Sequence, residues 1–316
     1  MKLLKLIPDN TNINFMKWRN VALALSILMT IVSMGIVFAK GLNLGVDFVG
    51  GQVIRATFAQ PVDIEELREK VTALEVGEAA IQEFGDNRTY QIRLPKPEGA
   101  ESEANRVVTE VRQMVISEYP GVTVTAGESV SGKVSEELAW DGALAIAFSM
   151  VGIAIYIWFR FEWQFGVGAL VTLFHDVAMV FGFFSLTQLQ VDLNIVAAFL
   201  AIVGYSLNDT VVIYDRIREN MRKYRKMEIV SLLNFSLNET LSRTMVTSLA
   251  IILALSVLLV LGPDVLFGLT VAILLGTLIG TYSSIYISAT SLVWLGLKPD
   301  SFLRGEELED KTVARA

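Results

Sequence analysis

The stretch LNIVAAFLAIVGYSLNDTVVIYDRIREN, residues 193–220, decides the fold class of this chain. It opens with about twenty almost purely apolar residues, enough to cross a ~30 Å hydrocarbon core as a helix rising ~1.5 Å per residue. Asn208 and Asp209 follow near its far end, before a basic run. A carboxylate at the centre of a membrane helix costs roughly 2.5–3.5 kcal/mol on insertion scales, so it normally faces protein or water. Asp209 is therefore a candidate functional residue, and the alternative is a structural hydrogen bond between helices.

The composition also indicates a membrane protein. Of the 316 residues, 53% are hydrophobic and only 19% are charged, and the mean hydropathy is +0.52. Such values are typical of integral membrane proteins. The chain has no cysteine and a single histidine, His175. This excludes disulfide frameworks, thiolate chemistry and a histidine-rich metal site, so we expect no metal and no cofactor.

The apolar stretches predict a polytopic α-helical membrane protein with six transmembrane helices. They cover, in order, residues 21–39, 139–159, 165–187, 193–214, 241–261 and 265–295. The first is interpreted as an uncleaved anchor, because its apolar run is too long for a secretory signal and no A-x-A site follows. The predicted regions are an N-terminus with the first helix (1–39), a polar domain (40–138), a five-helix bundle (139–295) containing a loop (214–240), and a tail (296–316).

Basic residues predict the orientation of these helices. Sixteen of the 26 lysines and arginines lie in the N-terminus, at Arg160, in residues 214–243 or in the tail, whereas residues 188–192 and 262–264 contain none. By the positive-inside rule, both termini and the loop 214–240 are cytoplasmic. The domain 40–138 then lies outside, and its ten basic and 17 acidic residues make it acidic. The pattern excludes nucleic-acid binding and favours contact of the basic run with membrane lipids, with partner docking as the alternative.

Residues 40–138 predict a small α+β domain. Strands are expected at 46–59, 79–84, 89–94 and 121–126, with one helix beginning at Asp63 and a second at 103–118. Asp63 and Glu66 form a capping box for the first helix. The order β-α-β-β-α-β is typical of a ferredoxin-like unit, here placed between helices 1 and 2.

The segment 127–133 matches the glycine and lysine spacing of a phosphate-binding P-loop. The next residue is Val134, which lacks the hydroxyl group that binds magnesium, and the segment is predicted to lie outside, where ATP is scarce. No second nucleotide signature is present. We therefore expect that the protein is not an enzyme and draws energy from another source.

Further polar residues fall within the predicted spans. His175 and Asp176 lie about ten residues into the third span, close to the bilayer centre. They can relay protons, since histidine titrates near pH 6.5, or form a hydrogen-bonded pair that holds helices together, and the sequence leaves both open. Arg243 opens the fifth span at a depth similar to that of Asp209, so the two can pair if their helices are neighbours. The alternative for Arg243 is an interfacial anchor. Small residues in 276–284 are interpreted as a packing signal.

Several motifs taken together resemble the SecF family, the smaller membrane subunits of the bacterial SecDF accessory complex of Sec protein export. The motifs are GLNLGVDFVGG (41–51), RFEW (160–163), HD (175–176), GYSLNDT (204–210), DRIREN (215–220), LSRT (241–244) and GTYSS (280–284). Each is weak alone, but the series extends from about residue 20 to residue 297 and is specific.

The resemblance implies half of a resistance-nodulation-division transporter, with six spans and a periplasmic domain, in the bacterial inner membrane. It implies SecD as the partner that supplies the matching half, together with the Sec translocon channel and unfolded exported proteins. It also implies that protons driven by the proton motive force power export. The family's proton path includes the Asp of the GYSxND motif and the Arg of the LxRT motif, which fall on Asp209 and Arg243. Asn208, His175 and Asp176 are further candidates.

Two other functions are compatible with these residues. One is a small-molecule or lipid exporter of the same superfamily, against which the chain's size argues, since such pumps need twice as many spans. The other is a scaffold that stabilises a partner without an energetic role, against which the intramembrane Asp209 argues. Purification of the intact complex discriminates among them, because translocon subunits indicate export of proteins.

The charge asymmetry predicts a topology that cysteine labelling can test. Because the chain has no cysteine, the single substitutions Ser102→Cys and Ser301→Cys can be treated with a membrane-impermeant thiol reagent on intact spheroplasts. We expect only Ser102→Cys to react, since the basic segments hold the tail in the cytoplasm. Lysed cells, in which both sites are accessible, provide the control. Labelling of Ser301→Cys but not Ser102→Cys would reverse the predicted orientation.

Overall fold

The structure is a computed structural model that describes residues 8, 11–74, 76, 79–84, 86–94 and 101–298. Along the chain the helices are α1 (Arg19–Lys40), α2 (Val46–Val49), α3 (Ile64–Thr72), α4 (Glu101–Glu118), α5 (Gly132–Arg160), α6 (Trp163–Thr187), α7 (Leu193–Lys223), α8 (Ile229–Leu261) and α9 (Phe267–Trp294). The strands are β1 (Gly51–Thr57), β2 (Ala80–Phe84), β3 (Asp86–Leu94) and β4 (Thr123–Val130). Short 3₁₀ turns at Phe15–Trp18 and Asp264–Leu266 precede α1 and α9.

Within these described residues, six helices are long and apolar enough to cross a membrane, namely α1, α5, α6, α7, α8 and α9. The helices α6, α7 and α9 pack on one another at the centre of this bundle, and α1, α5 and α8 surround them. The outer helices expose large apolar side chains such as Phe159 and Leu261, which suits a lipid environment. The structure confirms the predicted six-helix membrane fold with a domain inserted between the first two spans.

The bundle helices extend beyond several predicted spans. The predicted loop 214–240 is helical except for residues 224–228, because α7 continues to Lys223 and α8 begins at Ile229. The prediction ended each span where charged residues begin, yet Arg, Lys and Glu are good helix formers, and apolar side chains of both extensions join one core cluster. Similarly, α5 begins at Gly132 rather than at residue 139. Most of the predicted tail 296–316 lies outside the described residues.

The domain between α1 and α5, residues 50–130, is called the sheet domain. Its four antiparallel strands have the order β2-β3-β1-β4. Ile54 pairs with Ile92, and Ile92 also pairs with Ile81. These residues form a core with Leu67 of α3 and Val111 of α4, so both helices cover the same face of the sheet. This is the predicted ferredoxin-like unit.

One local prediction in the sheet domain was wrong, and a second holds only in part. The predicted strand 46–59 begins only at Gly51, because Val46–Val49 forms the short helix α2. Gly50 and Gly51 follow it with φ values of 75° and 120°, a conformation that favours glycine, and they turn the chain into β1. The capping box is half formed. The Asp63 side chain accepts a hydrogen bond from the Glu65 amide at 2.9 Å, whereas Glu66 forms an ion pair with Lys70 at 3.0 Å.

Residues 127–133, which have the P-loop spacing, do not form a loop in the structure. Residues 127–130 belong to β4, in which Val130 pairs with Gly51 of β1. Ser131 then caps α5, and its hydroxyl group accepts a hydrogen bond from the Val134 amide at 3.3 Å. Because a phosphate cradle is a loop whose backbone amides converge on a ligand, an extended strand that leads directly into a helix does not provide one.

The chain that enters the sheet domain is attached to the connection between α6 and α7. Leu44 and Val191 form a parallel bridge, with the Val191 amide donating to the Asn43 carbonyl at 2.8 Å. The Asp47 carboxylate accepts the first amide of α7, that of Leu193, at 2.9 Å. The entry to the sheet domain is therefore coupled directly to the start of α7.

Side chains of β3 reinforce this junction. Gln91 donates to the Gln190 side chain at 2.9 Å. The Arg93 guanidinium group donates to the Leu44 carbonyl and, at 3.2 Å, to the Asn43 side chain. Burial lowers the pKa of Arg93. The helix-free face of the sheet thus rests on the rim of the membrane bundle.

The crossing of α1 and α6 depends on a glycine. A Cβ atom at Gly182 would lie 2.9 Å from Ser33 Cα, so Gly182→Ala forces the two backbones apart. We expect this overpacking to cost about 1–3 kcal/mol of stability, measured as thermal unfolding of the purified protein. Gly35→Ala is the matched control, because a Cβ atom there has no neighbour within 4 Å. Equal stability of the two variants would contradict the close crossing.

Candidate functional site

Asp209 lies on the inner face of α7 and is only 3% exposed. Its Oδ2 atom has no hydrogen-bond partner. The charge of Arg243, on the neighbouring helix α8, acts on Asp209 through space. Among the described residues no ion pair joins the two side chains, and Arg243 is exposed. The predicted pair is thus placed on adjacent helices but is not closed in this conformation.

Asp176, unlike Asp209, has hydrogen-bond partners at both carboxylate oxygens. It is 1% exposed, and its Oδ2 atom accepts hydrogen bonds from the hydroxyl groups of Ser206 on α7 at 2.5 Å and Ser283 on α9 at 2.9 Å. Its Oδ1 atom lies 2.9 Å from Nδ1 of the buried His175. A carboxylate accepts from all three groups. Asp176 therefore joins the three central helices through one fully satisfied group.

Gly280 permits this convergence. A Cβ atom at Gly280 would lie 3.3 Å from Ser206 Cβ and 3.7 Å from Asp176 Oδ2. Any larger side chain would occupy the space that the carboxylate and its serine partners need. The small residue thus lets α9 approach α6 and α7 closely enough for hydroxyl groups to reach the carboxylate.

Hydroxyl groups continue from this cluster along α7, α8 and α9. One contact joins Thr210 and Ser284 at 3.0 Å. Another series joins Tyr205 to Ser248 at 2.7 Å and Ser248 to Thr281 at 2.8 Å. Together with Asp176, Ser206, Asp209 and Ser283, these side chains are called the polar seam.

The polar seam places Asp209 on the same face of α7 as Ser206, the partner of the other buried carboxylate, Asp176. Ser206, which binds Asp176, precedes Asp209 by three residues on α7, so the two positions are separated by slightly less than one helical turn, about 4.5 Å of rise. Hydroxyl groups both donate and accept hydrogen bonds, although among the described residues none of them reaches Asp209 Oδ2. The seam has the chemistry of a proton path and, in the described residues, no group of three or more metal-binding side chains.

The structure shows which of the predicted site residues lie together. It places Asp176 and Asp209 in the polar seam, with His175 bonded to Asp176 beside it. Asn208 is exposed on the opposite face of α7 and is not part of it. The sequence pattern did not predict polar roles for Tyr205, Ser206, Ser248 or the serines of α9, and residues 276–284 were expected to serve packing alone. Hydroxyl residues recurring every three or four positions on three apolar helices were the available signal.

The contrast between the two carboxylates predicts different effects on stability. Asp176→Asn leaves one acceptor oxygen for three donors, so we expect a loss of about 1–3 kcal/mol in thermal unfolding of the purified protein. Asp209→Asn is the matched control and should change stability by less than about 0.5 kcal/mol, because Oδ2 has no partner to lose. A larger loss for Asp209→Asn would contradict the assignment of Asp176 as the structural carboxylate.

Comparison with known families gives two matches. Residues 111–298 match the family described as protein export membrane protein SecD/SecF, C-terminal. Residues 35–62, which include the turn at Gly50 and Gly51, match the SecD/SecF GG motif. The two matches cover the junction with the sheet domain and the helices that form the polar seam.

Individual proteins with similar sequences point to the same family. A protein translocase subunit SecF of Pseudomonas aeruginosa is 41% identical over 291 residues, which cover 92% of this chain and 94% of the relative. SecF of Rickettsia prowazekii is 39% identical over 292 residues, covering 92% and 93%.

Solved structures of SecDF have the same fold. SecDF of Thermus thermophilus, a translocon-associated membrane protein, aligns with a TM-score of 0.84 and 36% identity over 92% of this chain. SecDF in a super-membrane-facing form aligns with a TM-score of 0.64 and 32% identity over 97% of this chain. This chain spans 39% and 40% of those two longer chains. By these matches and its six apolar helices, the chain is a multi-pass protein of the bacterial inner membrane and belongs to the SecF family of protein translocase subunits.

Proposed function

We propose that this subunit uses the proton motive force to promote protein export across the cytoplasmic membrane, without a chemical reaction of its own. The observation that supports this most strongly is Asp209, a carboxylate buried in a spanning helix with an oxygen that no protein group satisfies. A buried polar atom without a partner is costly, and it is retained where binding of a proton or water is part of function.

The proposed cycle depends on Asp209 and Arg243. When Asp209 is ionised, its charge attracts Arg243 across the gap between α7 and α8, and protonation removes that attraction. Moving one charge through 100 mV supplies ~2.3 kcal/mol, which biases a two-state helix rearrangement by roughly fiftyfold. Because the start of α7 is bonded to Asp47, at the entry to the sheet domain, a movement of α7 reaches the domain that faces exported protein in the proposed orientation.

The exposed surface of α7 supports pairing with SecD. Ala197, Ala201, Gly204 and Asn208 form an exposed stripe with spacings of four, three and four residues. Small residues at such spacing let a second helix approach closely. Since the chain spans about two fifths of the solved SecDF chains, we assign this face to the matching half that SecD supplies. The translocon channel and unfolded exported proteins complete the proposed set of partners.

The test is protein export into inverted membrane vesicles at saturating ATP, with the proton gradient present or dissipated. Asp209→Asn keeps the shape of the side chain but cannot titrate, so we expect normal assembly with SecD and loss of the gradient-dependent stimulation. Arg243→Ala should lose it as well, and Arg243→Lys should restore part of it, because the positive charge returns.

Arg225→Ala provides the matched control, since it removes an exposed positive charge from the linker 224–228 and should retain the stimulation. If Asp209→Asn exports with full gradient dependence, Asp209 is not on the proton path. If Arg225→Ala fails as Arg243→Ala does, the effect comes from surface charge rather than from the pair.

A further inference from the structure

We propose a binding site for the headgroup of an anionic phospholipid in a cavity of about 440 Å³, at the end of the bundle where α5 ends and α7 becomes basic. Its lining is Arg160, Asp215, Arg218, Glu219, Arg222 and Lys223. Four of these side chains are cationic and two are anionic. The inference is independent of the proton-coupled function, because none of these residues belongs to the polar seam.

The two lining carboxylates are already compensated. Asp215 forms an ion pair with Arg160 at 3.1 Å across the cavity. Glu219 forms one at 2.9 Å with Arg216, which is not part of the lining. Arg218 in turn forms an ion pair at 3.5 Å with Glu162, also outside the lining, so the positive excess is that of four cationic against two anionic lining side chains, with these flanking charges offsetting each other. The lining therefore keeps an excess of positive charge, which attracts a phosphodiester group. The guanidinium fork of arginine suits phosphate oxygens in particular.

The cavity is built from two helices rather than from one charged face. The Arg218 guanidinium group of α7 donates to the Arg160 carbonyl, at the end of α5, at 3.1 Å. Arg160 and Arg218 both lie over the ring of Phe161. These contacts hold the two basic walls together, so the cavity exists before a ligand binds and little ordering is needed on binding.

The surroundings of the cavity place it at the membrane surface. Trp158, Phe159 and Trp163 flank Arg160 and are 69%, 86% and 51% exposed. Tryptophan is enriched where hydrocarbon meets headgroups. Exposed apolar side chains of α5, among them Val151, Ile155 and Tyr156, continue from the cavity towards the bilayer centre. A phospholipid can thus place its phosphate among the arginines and its acyl chains along α5, which a soluble phosphate cannot do. Basic pockets of this kind between membrane helices bind anionic lipids.

The experiment uses quenching of tryptophan fluorescence by brominated lipids. The full chain with Trp18, Trp140 and Trp294 changed to phenylalanine retains Trp158 and Trp163 as reporters beside the cavity. It is reconstituted in phosphatidylcholine vesicles that contain either brominated phosphatidylglycerol or brominated phosphatidylcholine. We expect stronger quenching by the brominated phosphatidylglycerol. Equal quenching by both lipids would overturn the proposal.

Variants test whether the cavity itself is responsible. Arg222→Gln/Lys223→Gln removes two lining charges from exposed positions, and we expect the preference for phosphatidylglycerol to fall about tenfold. Arg225→Gln/Lys226→Gln removes the same charge just outside the lining and should keep the preference. Equal losses in both variants would indicate diffuse surface attraction and overturn the site. Arg160→Gln, which alters the other wall, should also weaken the preference. Unchanged quenching by brominated phosphatidylcholine shows that each variant is folded.

A final experiment tests whether the ligand of the cavity is a lipid or a soluble anion. Inorganic phosphate is added to the wild-type protein in the same vesicles, against sodium chloride at matched ionic strength. A lipid site, supported by acyl chains along α5, should keep its preference for phosphatidylglycerol in both salts. Selective loss of the preference in phosphate would assign the cavity to a soluble anion and overturn the proposal.

Discussion

A carboxylate buried inside a membrane protein needs hydrogen bonds from the protein, because hydrocarbon supplies none, and Asp176 meets this requirement with groups from three helices. Ser206 and Ser283 reach it only if α7 and α9 both approach α6 closely. The small residue at Gly280 makes that approach possible. The close packing of the three central helices at this point depends on this convergence.

Asp209 is buried on the same face of α7 but without the same support. Three residues beyond Ser206, which donates to the satisfied carboxylate, Asp209 keeps an oxygen with no partner. In the proposed coupling, the hydrogen bonds of Asp176 hold α7 in place at Ser206. Asp209, which has no such bonds, can gain or lose a proton and so change the forces on the same helix. The ties between Asp47 and α7, and between Gln91 and Gln190, connect that helix and its preceding loop to the sheet domain.

The bundle presents different surfaces around its circumference. Small residues on α7 and Arg243 are exposed, and we assign this side to the matching half proposed above, since the chain spans two fifths of solved SecDF chains. The outer face of α5 carries large aromatic side chains ending at a basic cavity, as expected where lipid rather than protein is the neighbour. The exposed residues thus differ between α7, the side proposed for a partner protein, and α5, the side expected to contact lipid.

The sequence by itself determined the six spans, the inserted ferredoxin-like unit and the family, because hydrophobic length, residue period and motif series are local properties. It also identified Asp209, Asp176 and His175, since a titratable residue in an apolar run is conspicuous. Only the tertiary structure decided that Asp176 is satisfied and Asp209 is not, that Asn208 points away, and that 214–240 is mostly helical. The physical reason is that a serine hydroxyl can bond to its own helix or to a neighbouring one, and which of these it does depends on how closely the helices pack.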